Sequence, residues 1–167
     1  DIVQNFALVD YGEAKKHKKV PHLLKNAKGL IFPRFHQLDV VNRLSDDVTT
    51  KGVGGKYLIQ HSAGSGKSNS ITWLAFDLVK ACPQTMEANR AEALDKQLFQ
   101  SVIIVTDRRV LDSQIYYNVW AFAKSDKIIA HADNSEQLRK AIEGGKRIII
   151  TTIQKFPYIC GTIADMS

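Results

Sequence analysis

Cysteine is scarce in this chain. Cys82 and Cys160 stand apart, with neither the paired spacing of a zinc site nor the number needed for a disulfide framework. A cytoplasmic protein with reduced thiols is therefore the expectation. No apolar run approaches the roughly 18 residues that a membrane helix needs, so no membrane partner is expected. The first residues, Asp1-Ile2-Val3-Gln4-Asn5, lack the basic start of a signal peptide. Internal repeats and low-complexity tracts are missing, which excludes repeat architectures. His36, His61 and His131 have no Cys or Asp at metal-ligand spacing, and His17 and His22 sit among lysines. No Ser, His and acid arrangement suggests a nucleophile.

What is present is an ordinary globular composition, 44% hydrophobic and 24% charged over 167 residues, enough for one domain with a single core. The formal charge of +6 permits a polyanionic partner without identifying one. Part of the excess lies in Lys15, Lys16, Lys18 and Lys19, which read as a solvated loop.

The richest stretch runs from Lys56 to Ala75. A short apolar run, Tyr57-Leu58-Ile59, leads through a small-residue turn, Ser62-Ala63-Gly64-Ser65-Gly66, into Lys67-Ser68-Asn69. A run with helical spacing follows, Ile71, Leu74, Ala75, Leu78 and Val79. Strand, glycine-rich turn and helix form the context of a phosphate-binding loop, in which backbone N–H groups and a helix N-terminus face an anion. Lys67 is then the phosphate-binding and catalytic cation, and the Ser68 hydroxyl the Mg²⁺ ligand. The general pattern asks for glycine five residues before Gly66, where this chain has His61. A plain glycine-serine turn followed by an ordinary lysine is the alternative, and the agreement of spacing, strand and helix argues against it.

In chain order, Phe6 to Val9 reads as a strand and Asp10 to Val20 as a basic loop. Phe35 to about Leu44 reads as an amphipathic helix, and Ser45 to Gly55 as a polar linker. A helix from Lys67 to about Ala81 ends before Pro83, and Glu87 to Phe99 carries no recognisable chemistry. Val102 to Val105 is a buried strand, and Leu111, Ile115, Val119 and Phe122 mark a helix. Ile128 to Ala130 is a short strand, Glu136 to Glu143 a helix closed by Gly144-Gly145, and Ile148 to Ile150 another buried strand. Apolar strands alternating with helices predict an α/β fold, a RecA-like parallel sheet covered on both faces.

A nucleotide hydrolase of this kind also needs an Asp at the end of a second strand for the metal's water shell. On spacing, Asp107 is the candidate, followed by Arg108 where a base would be useful. The competing reading, which we prefer on the residues alone, makes Asp107 a cap of the next helix. A small stand-alone P-loop kinase or nucleotide switch with Asp107 on Mg²⁺ is the corresponding functional rival.

Five segments in order resemble the motor (R) subunit of type I restriction-modification enzymes, a superfamily 2 helicase-like DNA translocase. They are Q-N-F-A-L-V-D (Gln4 to Asp10), F-P-R-F-H-Q (Phe32 to Gln37), Q-H-S-A-G-S-G-K-S (Gln60 to Ser68), I-I-V-T-D-R-R-V-L-D-S-Q (Ile103 to Gln114) and I-I-I-T-T-I-Q-K-F (Ile148 to Phe156). The third matches that family's phosphate loop, including His61. The last two are similar to helicase motifs Ia and Ib, which lie along DNA.

The resemblance implies a strand and basic linker over 1–33 and part of a first RecA-like motor domain over 34–167. It implies ATP and Mg²⁺ as cofactors, bound by Arg34, Gln37, Ser62, Ala63, Gly64, Ser65, Gly66, Lys67, Ser68 and Asn69, with Gln37 reading adenine. It assigns Thr106, Asp107, Arg108, Thr151, Thr152 and Gln154 to double-stranded DNA, which releases Asp107 from metal duty. The partners it implies are DNA and the methylase and specificity subunits. The parent protein is expected to be an ATP-dependent endonuclease. Its D-E-x-H motif is expected beyond Ser167, so this chain is expected to bind Mg-ATP weakly and to hydrolyse it negligibly. Other superfamily 2 motors, and a module that binds DNA without hydrolysis, are the remaining rivals.

Overall fold

The computed structural model describes residues 8–9, 30–83, 97–123 and 127–155. In chain order the elements are β1 (Leu8–Val9), β2 (Leu30–Ile31), α1 (Phe35–Lys51), α2 (Lys67–Lys80), β3 (Val102–Thr106), α3 (Arg109–Ala123), β4 (Ile129–His131), α4 (Ser135–Glu143) and β5 (Ile148–Thr152). A single 3₁₀ turn, Ile153–Lys155, follows β5. β1 and β2 pair antiparallel, Leu8 opposite Ile31. The basic loop read over residues 10–20, and most of the stretch 87–99, lie outside the described residues.

The core is a parallel sheet in the order β3-β5-β4, with Val102 opposite Ile148 and Ile129 also opposite Ile148. β5 runs Ile-Ile-Ile-Thr-Thr and is buried along its whole length. Because side chains alternate across a strand, its isoleucines divide between two layers. Ile148 and Ile150 pack with Ile104, Ile129, Ala75 and Phe76 of α2, and Ile115 and Val119 of α3. Ile149 faces the other way, onto Ala132 and onto Leu138 and Ala141 of α4. This is an α/β fold with a RecA-like parallel sheet, as the alternation of buried strands and helices predicts.

α1 forms a further layer on α2 through Val41 and Trp73. Its buried stripe, Gln37, Val41, Leu44 and Val48, keeps helical spacing beyond Leu44. The helix therefore runs to Lys51 and takes in most of the stretch read as a linker. Arg43 with Asp39, and Lys51 with Asp47, add pairs four residues apart on its outer face. Gly52, at φ +82°, ends it with its N–H on the Val48 carbonyl.

The segment Tyr57-Leu58-Ile59 is not a strand. Among the described residues no strand lies beside it, and an isolated strand leaves its backbone groups unpaired. Leu58 is 94% exposed, and Tyr57 is tied instead to α1, its hydroxyl donating to Asp47 at 2.7 Å.

Asp77, half-buried on α2, accepts a hydrogen bond from Ser45 Oγ of α1 at 3.4 Å. Burial pushes its carboxyl above the ordinary carboxylate value, opposed by the smaller pulls of Lys80 and Ser45. A raised carboxyl pKa means that the native state holds more protons than the unfolded chain, so stability falls as pH rises through the folded value. Asp77→Asn should therefore stabilise the protein at neutral pH, and the gain should vanish as pH drops through the carboxylate range. Urea midpoints of the two proteins across that range check this, and equal midpoints at neutral pH contradict it.

Candidate nucleotide-binding site

The turn from His61 to Gly66 enters α2 at Lys67. Gly66, at φ +84° and ψ 31°, is the residue before the helix, and Gly64 lies at φ +72°. Both conformations favour glycine. An added Cβ at Gly66 would also sit 2.4 Å from Gln37 Nε2, so the Gln37 amide would have to leave its place. Serine-rich, glycine-punctuated sequence and a helix start together leave a ring of backbone N–H groups at the N-terminal end of α2.

Lys67 Nζ donates to the carbonyls of Ser62 at 2.7 Å and His61 at 3.1 Å, so its charge is folded onto the loop. Ser65 Oγ is buried without a hydrogen-bond partner among the described residues. A cation held against the loop, an unpartnered hydroxyl in it and a helix N-terminus behind it fit a phosphate chain. Ser68 opens the first turn of α2, where its hydroxyl would join the coordination of Mg²⁺. No group of three or more His, Cys, Asp or Glu side chains gathers for a metal among the described residues.

α1 meets this loop with its N-terminal turn. Gln37 is 3% exposed, so it is not a polar residue on an open helix face. Its Nε2 donates to the Gly66 carbonyl at 2.9 Å and its Oε1 accepts the Arg34 N–H, also at 2.9 Å. Arg34 itself is exposed and is the residue before the helix. Asn69 lies one turn behind the loop on the α3 side, where Asn118 Nδ2 donates to its Oδ1 at 3.3 Å.

The second set of expected residues gathers at the carboxyl end of the sheet. Asp107, Arg109, Asp112, Asn134, Thr152 and Lys155 are among the residues lining an open cavity of about 750 Å³ there. Asp107, Arg108 and Gln154 are exposed, and Gln154 Nε2 donates to the Asp107 carbonyl at 3.0 Å. The threonines differ from expectation. Thr106, Thr151 and Thr152 are buried. Thr151 Oγ1 donates to the Ala132 carbonyl at 3.2 Å, and Thr106 Oγ1 lies 3.4 Å from Asp112 Oδ1 and 3.5 Å from the Thr151 carbonyl. Hydroxyls at the end of a fully buried strand are spent on satisfying the interior, so Thr106 and Thr151 do not face a ligand.

Asp107 does not take the capping place either. It precedes the start of α3 by two residues, and its carboxylate lies 3.5 Å from Arg108 Nε. The carboxylate that enters the structure from this helix is Asp112, which is buried. It accepts a short hydrogen bond from the His131 ring, which stacks on Tyr116 at 4.8 Å and lies 3.7 Å from Asp133 through its other nitrogen. His131 thus has acidic partners that spacing along the chain did not reveal, because Asp112 comes from α3 and His131 from the end of β4. An acid one turn into a helix after a buried strand was the available signal. No helix of the described residues is long and apolar enough to cross a membrane.

Compared with known proteins, the chain matches a family model described as SWI2/SNF2 ATPase over residues 36–165, well over half its length. No curated protein and no solved structure gives a significant match.

Removing Asp112 leaves the partly buried His131 imidazole without the acceptor on its Nε2 side. Asp112→Ala should cost about 2–4 kcal/mol, and Asp112→Asn, which keeps an acceptor, about half that or less. Chemical denaturation of the two variants checks the order, and equal losses would show that the contact needs the carboxylate charge and that a neutral acceptor does not replace it.

Proposed function

The chain belongs to the SWI2/SNF2 ATPase family, and from that membership we propose that it is the ATP-binding part of a motor that translocates on double-stranded DNA. More narrowly, we read it as part of the motor subunit of a type I restriction enzyme, working with methylase and specificity subunits in the cytoplasm. The observation that carries the nucleotide reading is the loop at the start of α2: two glycines at positive φ, with Lys67 folded onto the loop carbonyls. The order of the five resembling segments supports the narrower reading.

ATP would lie with its β- and γ-phosphates against the 62–68 loop, and the bound nucleotide supplies the phosphoanhydride whose cleavage drives movement. The Gly64 and Gly66 N–H groups would face the phosphates, while the Ser65 N–H closes the turn on the Ser62 carbonyl at 3.4 Å, and Lys67 would exchange two neutral carbonyls for phosphate charge. Such a trade strengthens its hydrogen bonds, since charge-assisted bonds are roughly twice as strong as neutral ones. Ser68 would hold the Mg²⁺ that accompanies the triphosphate, with Asn69 beside it, and Arg34, exposed ahead of α1, would be the residue nearest the base. The duplex would run over the carboxyl edge of the sheet, where Arg108, Arg109, Gln154 and Lys155 offer contacts to phosphates that position DNA without reading its sequence. Asp107 sets the shape of this rim through its backbone carbonyl.

Binding of a fluorescent ATP analogue tests the nucleotide site. Lys67→Ala should weaken it about ten- to hundredfold, the worth of a hydrogen-bonded charge on phosphate, and unchanged affinity would remove the loop from the site. For DNA, Arg108→Ala should lower the slope of log affinity against log salt by about one, equally for all duplex sequences. The narrower reading requires D-E-x-H within about 20 residues after Ser167 in the source reading frame, with methylase and specificity genes beside it.

A further inference from the structure

Two consecutive residues of α1 hold two consecutive carbonyls of the phosphate loop. His36 Nε2 lies 3.1 Å from the Ser65 carbonyl, and Gln37 Nε2 lies 2.9 Å from the Gly66 carbonyl. A carbonyl only accepts, so the His36 ring nitrogen carries the proton and donates. The His36 ring also meets the His61 ring edge-on, at 5.2 Å between centroids and 85° between planes. The far end of the same loop is thus packed on the same turn of helix. This contact explains why the loop accepts histidine where the general pattern has glycine: the side chain has a place against α1.

The consequence lies in the peptide planes. A trans peptide is flat, and its C=O and N–H point in opposite directions. Holding the Ser65 carbonyl toward His36 therefore turns the Gly66 N–H away from α1. Holding the Gly66 carbonyl toward Gln37 does the same to the Lys67 N–H. Those two N–H groups stand at the start of α2, where a phosphate chain would be received. The Gly66 carbonyl is also the acceptor for the Asn69 and Ser70 N–H groups at 3.0 and 3.3 Å, so it is fixed from both sides. The Ser65 carbonyl has His36 as its side-chain anchor.

We infer that His36, with Gln37, is a positioning residue for the phosphate loop: the pair orients the Ser65–Gly66 and Gly66–Lys67 peptides so that their N–H groups are set for phosphate before nucleotide arrives. The inference rests on the phosphate-loop reading above and adds to it a role for a histidine outside the loop. It also gives the Gln37 carboxamide a function on the phosphate side, since both its polar atoms are engaged by Gly66 and Arg34. Preorganised donors bind more tightly because ordering has been completed in the free protein.

Two variants separate donor from shape. His36→Phe keeps a ring against His61 and removes the donor, and His36→Gln keeps an N–H donor on a flexible stem. Inorganic tripolyphosphate with Mg²⁺, ATP and GTP serve as probes in calorimetric titrations of the full chain, with thermal unfolding run in parallel. His36→Phe should weaken tripolyphosphate and ATP alike by about three- to tenfold, the worth of one hydrogen bond. The ATP to GTP ratio and the unfolding midpoint should stay unchanged, and His36→Gln should recover most of the loss. Gln37→Met should likewise weaken tripolyphosphate.

The proposal is overturned if His36→Phe binds tripolyphosphate like the parent chain, or if its loss tracks a lowered unfolding midpoint. It is equally overturned for Gln37 if Gln37→Met changes the ATP to GTP ratio and leaves tripolyphosphate binding intact, the signature of a base reader. If the parent chain binds neither tripolyphosphate nor ATP, the phosphate-loop reading itself fails and the inference falls with it. That outcome is distinct from a parent chain that binds and variants that bind equally well.

Discussion

The structure is organised by the need to bury β5 completely. Five consecutive residues, Ile148 to Thr152, lie in the interior with strands on both sides. A strand in that position must be apolar on both faces and must have each face covered. Ile148 and Ile150 call for α2 and α3, and Ile149 calls for α4. The coverage is uneven at β3, whose Ile103 and Val105 remain 37% and 42% exposed on the face away from α2 and α3. At the carboxyl end the apolar run gives way to Thr151 and Thr152, which are still interior. The polar atoms of Thr151 find protein partners, and that requirement draws Ala132 and Thr106 into one network with Asp112 and His131. The edge of the sheet is thus held by hydrogen bonds between elements distant in sequence, and the cavity lies over that network.

The phosphate loop depends on a different constraint, the close approach of backbone to side chain at Gly66. Gln37 reaches this peptide because α1 packs on α2 through Val41 and Trp73. With the helices in that register, the first turn of α1 falls beside the first turn of α2. The glycine is then favoured by its positive φ, and its lack of a Cβ leaves the Gln37 amide room against the backbone. A pattern search sees only the first of these. The second makes the loop and α1 a single unit, since a change on either side displaces the other.

Much of the architecture was legible because it follows from local periodicity. Buried strands without polar alternation, separated by helices of 3.6-residue spacing, leave few arrangements other than a covered parallel sheet. The glycine-rich turn into α2 was legible because its signal is compressed into eight adjacent residues. What could not be read was whatever depends on pairing across the fold. Tyr57 to Ile59 has strand composition, yet composition does not supply a neighbouring strand. Asp107, just past β3, is the metal candidate on spacing and reads by preference as a helix cap, but the carboxylate that satisfies the interior is Asp112, one turn into α3. The threonines at the ends of β3 and β5 looked like ligand groups because they end strands, while burial turns the Thr151 hydroxyl to the Ala132 carbonyl and the Thr106 hydroxyl toward Asp112. The apolar stripe of α1 continued through Val48, but charged residues on its other faces disguised it as a linker.

The phosphate loop and the sheet edge are joined by one helix. α3 begins with Arg109 at the rim of the cavity, sends Asp112 down into the buried network, and one or two turns later places Asn118 against Asn69 beside the phosphate loop. Its inner face is anchored by Ile115, between Asp112 and Asn118, and by Val119 just after them, in the main core. Interiors packed at crystal density do not deform smoothly, so a helix held in this way is displaced as a body or remains in place. Its two ends report on each other through rigid geometry: the residues that face the loop and those that face the rim keep a fixed separation along one axis. A family whose members use ATP needs its nucleotide loop and its working surface built on common elements. In this chain α3 is the element that spans the two places, held by apolar packing at Ile115 and Val119 and by hydrogen bonds from Asp112 and Asn118 to the elements beside it.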